Sequence, residues 1–201
     1  MFYKIVVILV KIIFFPFFRI RVHGLENLPK DNGIIICANH WSNFDPFFLA
    51  ISLPKKFNFM AKKELFEIPI LRNLLKFAGV FPVNRQGNDM KALRHAISLI
   101  CEDKTLGIFP EGTRVKSPSR DSLKEGVGFI ALKAKADIVP IEIISNYRLF
   151  SKTDIYVKEK IEIHKFLNLK NKEAMNKISD IIYKDIYEYR LERLEDGSNN
   201  I

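Results

Sequence analysis

The sequence predicts an α/β fold in which a mixed central sheet is flanked by helices. Short apolar runs of strand length alternate with longer segments of helical periodicity along most of the chain. That alternation is typical of α/β architecture. At 201 residues, of which 48% are hydrophobic, the chain is long enough to bury a substantial core in a single domain.

The order of the predicted elements follows this alternation. Strands are expected near residues 19–23, 33–38, 57–61, 80–84, 106–109, 137–144 and 155–164, and helices near 46–52, 62–77, 88–102, 124–135 and 172–194. Pro69 should kink or split the helix at 62–77, because proline removes a backbone donor and clashes with the preceding turn. The last helix has one apolar side, which predicts that it docks on the domain. Its apolar residues are Ile178, Ile181, Ile182 and Ile186.

The N-terminal segment differs from the rest of the chain. Residues 1–18 are almost wholly apolar, interrupted by Lys4 and Lys11, which fall on one helical stripe. A spanning helix needs about 20 mostly apolar residues with few charges, so the lysines and Pro16 favour a helix that lies in the membrane interface. We therefore expect a membrane-associated helix over 1–18, a globular domain over 19–195 and a frayed tail over 196–201.

The charge of the chain restricts its partners. The formal net charge of +9 suits an anionic membrane surface, an acidic carrier protein or nucleic acid. The aromatic residues cluster in the apolar N-terminus instead of among basic residues, so we expect no nucleic-acid partner.

The cysteines and histidines favour neither a disulfide scaffold nor a metal site. Cys37 and Cys101 lie in apolar surroundings, without a disulfide or zinc spacing. His23, His95 and His164 show no metal-ligand spacing either. We therefore expect a reducing compartment, by default the cytoplasm, and no metal.

A first polar motif follows the apolar run at 34–38. His40 lies at the end of that run and Asp45 follows five residues later. Residues five apart in a continuous helix point to different faces, so the pair can meet only if residues 39–44 form a turn. Pro46 favours a helix that begins after Asp45, which permits such a turn. The pair could then act as a histidine held by a carboxylate, or Asp45 could merely cap the helix.

A second polar motif follows the predicted strand at 106–109. Residues 109–114 read Phe-Pro-Glu-Gly-Thr-Arg, so Glu111 to Arg114 emerge at the carboxyl end of that strand, where ligands bind in α/β sheets. Gly112 allows the backbone to approach a ligand closely, and Arg114 offers a fork of donors suited to phosphate. The alternative is a surface ion pair between Glu111 and Arg114.

Together the two motifs resemble the best-known blocks of the lysophosphatidic acid (1-acylglycerol-3-phosphate) acyltransferase family. A third stretch, which spans 59–65 and 79–85, resembles the family's substrate-phosphate block and contributes Lys62 and Arg85. Residues 124–126 and 138–141 resemble two further blocks, so the resemblance covers roughly residues 20–145. The chain departs from the family at Asn84, where aspartate is more common, and at Val115, where serine is often found.

The resemblance implies a glycerol-phosphate-acyltransferase-like fold for the domain over 19–195. It also implies acyl transfer from acyl-CoA or acyl carrier protein (ACP) to the sn-2 hydroxyl of lysophosphatidic acid, which makes phosphatidic acid for phospholipid synthesis. His40 would act as general base and Asp45 would orient it, without an acyl-enzyme or any cofactor beyond the acyl carrier. The implied substrate-binding residues are Lys62, Arg85, Glu111, Gly112, Thr113 and Arg114. The implied location is the cytoplasmic face of the cell (inner) membrane.

Alternatives to this interpretation remain at the level of the sequence. Ser42 or Cys37 could serve as a nucleophile beside His40, although a turn hydrogen bond and a buried core thiol are the simpler interpretations. The acceptor could be another lysolipid. The protein could also be a catalytically silent lipid-binding protein, although the intact His40 and Asp45 disfavour that role.

Overall fold

The computed structural model describes residues 2–14, 16–84 and 89–195. The helices in these ranges are α1 (Phe2–Phe14), α2 (Asp45–Ser52), α3 (Pro69–Phe77), α4 (Met90–Cys101), α5 (Gly126–Ala134) and α6 (Asn171–Glu195). The strands are β1 (Phe18–His23), β2 (Ile35–Ala38), β3 (Phe57–Lys62), β4 (Phe81–Val83), β5 (Thr105–Ile108), β6 (Ile138–Ser145) and β7 (Ser151–Val157). Short 3₁₀ turns lie at Leu25–Asn27, Lys63–Phe66, Arg120–Ser122 and Ile163–Phe166.

The strands form one mixed sheet in the order β1-β7-β6-β2-β5-β3-β4. Strands β6, β2, β5, β3 and β4 pair in parallel, whereas β7 pairs antiparallel with β6 and parallel with β1. Because β2 and β5 are parallel neighbours, the two polar motifs that follow them emerge at the same edge of the sheet. We call this edge the carboxyl edge.

The core lies on both faces of the sheet, with β2 at its centre. Ile35 and Cys37 pack on the side covered by α4, α5 and α6. Ile36 and Ala38 pack on the other side, with residues of α2 such as Phe48. The alternation of the β2 side chains therefore fixes the strand between two helical layers, and the loop that follows it has a rigid base.

The seven predicted strands and the α/β class are confirmed, but some boundaries were wrong. The predicted helix at 62–77 is divided: β3 extends to Lys62, a 3₁₀ turn covers Lys63–Phe66, and α3 begins at Pro69. The effect expected of Pro69 is thus confirmed, since it occupies the first turn of α3. Lys62 ends a strand and does not begin a helix.

The last predicted strand, at 155–164, was placed too late in the chain. Strand β7 begins at Ser151 and ends at Val157, and Ile161 makes only an isolated bridge to Ile138. Tyr147 and Phe150 have φ angles of 56° and 64°, which turn the chain back sharply after β6. Neither residue is glycine, so the turn had no obvious sequence signal.

The N-terminal helix is shorter than the predicted 1–18. Helix α1 ends at Phe14, and Phe18 already belongs to β1. No helix among the described residues is long and apolar enough to cross a membrane. The location of α1 at a membrane, the domain boundaries and the fraying of 196–201 stay predictions, and residues 196–201 lie outside the described residues.

Helix α6 docks as its apolar pattern predicts. Ile178, Ile182 and Ile186 are buried, whereas Ile181 lies at the exposed border of the docked face. The helix also buries Tyr187 and Arg190, which lie one and four residues beyond Ile186. These two residues contact the edge of the sheet that carries the polar motifs.

Candidate active site

His40 lies directly beyond β2, in a turn that returns its side chain to Asp45. Nδ1 of His40 is 3.0 Å from Oδ2 of Asp45. The N–H of Asp45 bonds the carbonyl of Ser42 at 3.2 Å, and the N–H of Phe44 bonds Oγ of Ser42 at 3.2 Å. The predicted turn and the predicted contact between His40 and Asp45 are both confirmed.

Asp45 is the first residue of α2, and not its N-cap as the sequence suggested. Phe44 takes the N-cap position. Instead of capping the helix, Oδ2 of Asp45 accepts the N–H groups of Trp41 at 2.8 Å and Ser42 at 2.7 Å, as well as Nδ1 of His40. Asp45 is fully buried, so it holds the loop and the imidazole at once. A proton on Nδ1 leaves Nε2 of His40 as the basic nitrogen.

The second loop packs against the first through ring stacking and a backbone bond. The ring of Phe109 stacks on the imidazole of His40 with a centroid distance of 4.2 Å. The N–H of Val115 donates to the carbonyl of His40 at 2.9 Å. Gly112 has a φ of 67° and closes a turn on Phe109, so a residue with a side chain would be strained there. These contacts join the two motifs into one site.

Glu111 lies beneath this site and not at its surface. It is 1% exposed, and its Oε1 accepts the N–H of His40 at 3.0 Å and the hydroxyl of Tyr187 at 2.5 Å. Burial raises the pKa of Glu111, while the bonds from Tyr187 and His40 oppose that rise. The side chains of Thr113 and Arg114 are exposed. Glu111 thus contacts His40 and Tyr187, whereas Arg114 faces solvent.

Of the two remaining basic residues in the prediction, Lys62 and Arg85, the structure describes only Lys62. Lys62 is exposed at the carboxyl edge, with Nζ 3.5 Å from Oε1 of Glu64. Arg85 lies outside the described residues.

The rival nucleophiles have structural roles. Ser42 accepts the N–H of Phe44 in the turn. Cys37 is fully buried in β2, and burial raises the pKa of its thiol well above the usual range. A protonated, buried thiol is a poor nucleophile.

Three residues near the site were missed by the sequence analysis. The hydroxyl of Tyr147 donates to Oδ1 of Asp45 at 2.8 Å, and that of Tyr187 donates to Glu111. The guanidinium of Arg190 lies 3.9 Å from the centre of the Trp41 ring and is almost wholly buried. Burial lowers the pKa of Arg190. The sequence carried one signal for these residues, since Glu142 is a charged residue within the apolar run of β6. Its carboxylate accepts the N–H groups of Tyr189 and Arg190 of α6.

Fold and site together define an α/β enzyme with a histidine–carboxylate pair at the carboxyl edge of its sheet. The Acyltransferase family model matches residues 19–144. The chain belongs to this acyltransferase family, as the resemblance in its motifs predicted.

Two 1-acyl-sn-glycerol-3-phosphate acyltransferases are similar to most of the chain. A 1-acyl-sn-glycerol-3-phosphate acyltransferase of Bacillus subtilis is 32% identical over 175 residues, which cover 84% of this chain and 87% of the relative. A chloroplastic 1-acyl-sn-glycerol-3-phosphate acyltransferase of Arabidopsis thaliana is 33% identical over 138 residues. That match covers 67% of this chain but only 38% of the plant protein.

A solved structure confirms the fold. The crystal structure of the 1-acyl-sn-glycerophosphate (LPA) acyltransferase PlsC from Thermotoga maritima matches with a TM-score of 0.74 at 25% sequence identity. The match covers 94% of this chain and 79% of that one. It therefore includes α6 or most of it, beyond the region that the family model covers.

Proposed function

We propose that the protein transfers an acyl group from acyl-CoA or acyl-ACP to the sn-2 hydroxyl of lysophosphatidic acid. The product is phosphatidic acid for phospholipid synthesis. The observation that carries the proposal is the bond of 3.0 Å between Nδ1 of His40 and Oδ2 of Asp45. The names of the relatives from Bacillus subtilis and Thermotoga maritima support the choice of acceptor.

In this mechanism Nε2 of His40 removes the proton from the sn-2 hydroxyl as the oxygen attacks the thioester carbonyl. Asp45 stabilises the imidazolium that forms. When the tetrahedral intermediate collapses, the C–S bond breaks and the imidazolium returns the proton to the leaving thiolate. The hydroxyl attacks the thioester directly, so no acyl-enzyme is formed. A positioned base supplies roughly 10²- to 10⁴-fold in rate, and orientation and oxyanion stabilisation supply much of the rest.

The acceptor phosphate is assigned to the loop that contains Gly112, Thr113 and Arg114, with Lys62 and Arg85 as further cationic groups. The exposure of Thr113 and Arg114 beside His40 supports this assignment. Glu111 acts indirectly from its buried position, since its carboxylate accepts the backbone N–H of His40. Its contribution is to hold the loop and not to contact the acceptor.

The reaction is placed at a membrane surface, on the cytoplasmic face of the cell (inner) membrane. Helix α1 exposes Ile8, Leu9 and Ile12, which supports a helix that lies in the interface. The net charge of +9 suits anionic headgroups and an acidic carrier protein.

The test is acyl transfer by the purified, detergent-solubilised protein from palmitoyl-CoA and from palmitoyl-ACP. Lysophosphatidic acid, lysophosphatidylcholine and glycerol 3-phosphate serve as acceptors, and His40→Ala is the matched inactive variant. We expect selective product with lysophosphatidic acid and no turnover by His40→Ala, with the fold retained by circular dichroism.

Two other outcomes would change the proposal. Turnover only with another lysolipid would keep the chemistry and overturn the acceptor assignment. No turnover with either donor, together with lipid binding that is equal in wild type and His40→Ala, would favour a catalytically silent lipid-binding protein.

A further inference from the structure

Helix α3 carries an exposed apolar face. Ile70, Leu74 and Phe77 are spaced as one face of a helix and are 85%, 46% and 60% exposed. No residue of α3 is buried. Leu71 and Leu75, about 100° further round the helix, are partly buried and turn towards the protein. The exposed stripe is therefore a second apolar face, beyond the one that holds the helix in place.

The segment that contains α3 and the turn before it is basic. The segment 62–77 contains Lys62, Lys63, Arg72 and Lys76, against Glu64 and Glu67. Lys63 and Lys76 are exposed, and a lysine can extend its ammonium group to the headgroup region while its methylene stem stays in the apolar part of the interface. An exposed apolar stripe on a helix of a basic segment suits the interface of an anionic membrane.

The topology places α3 and α1 on either side of the turn at residues 39–44, which we call the His40 loop. Helix α3 follows β3, which runs parallel to β2, so it emerges at the carboxyl edge. Strand β1 runs the opposite way, so its first residue, Phe18, lies at the same edge, beside Ser151 at the start of β7. In the strand order, β1 and β3 lie on opposite sides of β2.

Helix α1 also contacts the His40 loop directly. The ring of Phe14 lies 5.5 Å from the ring of Phe44, which ends the loop, and 5.5 Å from that of Phe47. The apolar part of α1 is thus continuous with the carboxyl edge, where α3 presents its own stripe.

We infer that α3 is a second membrane-contacting element, and that its occupant is the surface of a bilayer that contains anionic lipid. The two apolar helices straddle the His40 loop, so that the site faces the membrane from which a lysolipid would be drawn. The inference rests on the proposed function for its choice of a lipid surface, although vesicle binding can be measured without turnover.

The test is flotation of the purified protein with vesicles of phosphatidylcholine and phosphatidylglycerol in a 3:1 ratio. The variant is Ile70→Gln with Leu74→Gln, and its matched control is Leu25→Gln. Leu25 is also exposed, at 42%, but follows the far end of β1 and so lies at the opposite edge of the sheet. We expect the double variant to bind vesicles at least tenfold more weakly, and the control to bind within twofold of wild type. Unchanged binding by the double variant would overturn the inference.

A second measurement separates the membrane from other occupants of the stripe. Turnover of a short-chain lysophosphatidate, kept monomeric in solution, should be equal in wild type and the double variant, whereas turnover of vesicle-borne acceptor should fall. A loss with the monomeric acceptor would instead assign the stripe to the acyl chain and overturn the inference. So would a wild-type dimer that the variant converts to a monomer in sedimentation without vesicles.

The proposed function and the inference fail in different ways. Vesicle binding that depends on Ile70 and Leu74, without acyl transfer to any acceptor, would remove the enzyme assignment and support the membrane contact. Acyl transfer together with vesicle binding that is unchanged in the double variant would support the enzyme assignment and overturn the membrane contact.

Discussion

Tyr147 donates a hydrogen bond of 2.8 Å from its hydroxyl to Oδ1 of Asp45, while His40 occupies Oδ2 of the same carboxylate. The tyrosine itself is fixed, since its N–H bonds Oγ of Ser145 at 3.0 Å and its ring stacks on Phe48. Burial raises the pKa of the Tyr147 hydroxyl far above the usual range, and the nearby Asp45 adds to the rise. The hydroxyl therefore remains a donor at any pH at which the enzyme works.

Replacing this tyrosine tests whether it positions the carboxylate of Asp45. We expect Tyr147→Phe to lower kcat about tenfold or more and to leave the KM for acceptor nearly unchanged, because a hydrogen bond to a charged group contributes about 1.5–3 kcal/mol. The measurement is steady-state kinetics with varied acceptor. Tyr183→Phe is the control, since Tyr183 lies on α6 and packs against Tyr187, and no bond from it to Asp45 is seen among the described residues. Equal kcat in wild type and Tyr147→Phe would show that His40 and the loop amides orient Asp45 without it.

Two substitutions of Asp45 separate its structural role in the loop from its proposed role in the reaction. Asp45→Ala leaves the N–H groups of Trp41 and Ser42 and the hydroxyl of Tyr147 without their acceptor. Each such loss costs about 1–3 kcal/mol, so we expect the free energy of unfolding to fall by about 3 kcal/mol or more. In Asp45→Asn the amide oxygen can accept from the loop, and the amide nitrogen can donate to the oxygen of Tyr147.

We therefore expect Asp45→Asn to unfold nearly as wild type does but to lose about 10²- to 10⁴-fold in kcat, because a neutral amide stabilises an imidazolium poorly. Denaturant unfolding and kinetics of both variants provide the check. Equal free energies of unfolding for the two variants would contradict the hydrogen-bond network described for Asp45.

The elements of this fold were predictable because their signals are local. The apolar run of β2 and the proline at the start of α2 require a turn between them, and that turn is what brings His40 to Asp45. Tyr147 and Tyr187 could not be found in this way, because they lie 102 residues from Asp45 and 76 residues from Glu111 respectively. Only the pairing of β6 with β7 and the docking of α6 bring them to the site.

The role of Glu111 shows a second limit of sequence patterns. Its place between Pro110 and Gly112 is typical of an exposed turn, and an ion pair with Arg114 was a reasonable alternative. Its burial depends on α6, which supplies Tyr187 from a segment that no motif marks. A motif thus identifies which residues lie at the site, but not which of them face the substrate.

Arg114 is expected to act on acceptor binding. Arg114→Ala should raise the KM for lysophosphatidic acid about tenfold or more and change the KM for palmitoyl-CoA little, because a fork of donors on the phosphate is lost. Lys116→Ala removes a nearby exposed charge as the control. Arg114→Lys should recover part of the loss, since it keeps the charge without the fork. A fall in kcat with an unchanged KM would contradict the phosphate assignment.

Gly107 in β5 supports the imidazole through two aromatic rings. A β-carbon at Gly107 would lie 2.3 Å from Cε1 of Phe59, whose ring stacks on Phe109 at 5.9 Å, and Phe109 stacks on His40. We expect Gly107→Ala to lower the free energy of unfolding by about 1–3 kcal/mol, as overpacking does, and to lower kcat as well. Denaturant unfolding and kinetics measure the two effects.

Gly126→Ala provides the control for this substitution. Gly126 lies in the first turn of α5, and among the described residues the added carbon would meet only Cδ2 of Leu93, at 3.8 Å. We expect its free energy of unfolding to be unchanged or to rise by up to about 1 kcal/mol. A Gly107→Ala variant as stable and as active as this control would contradict the packing described around Phe59.

Asp185 on α6 should make the stability of the protein depend on pH. Burial raises its pKa to about 6 from a usual value near 3.8, and Glu188 adds to the rise while Lys158 opposes it. Because the folded state binds this proton more tightly than the unfolded state, the resulting stabilisation is complete below about pH 4 and is lost as the pH rises through about 6. Asp185→Asn mimics the protonated form, so we expect a higher Tm than wild type at pH 7.5 and an equal Tm at pH 4. Glu192→Gln removes an exposed carboxylate of the same helix and should show no such trend. Thermal unfolding at pH 4, 5, 6 and 7.5 measures the difference, and a Tm advantage that is constant across this range would show that Asp185 does not titrate within it.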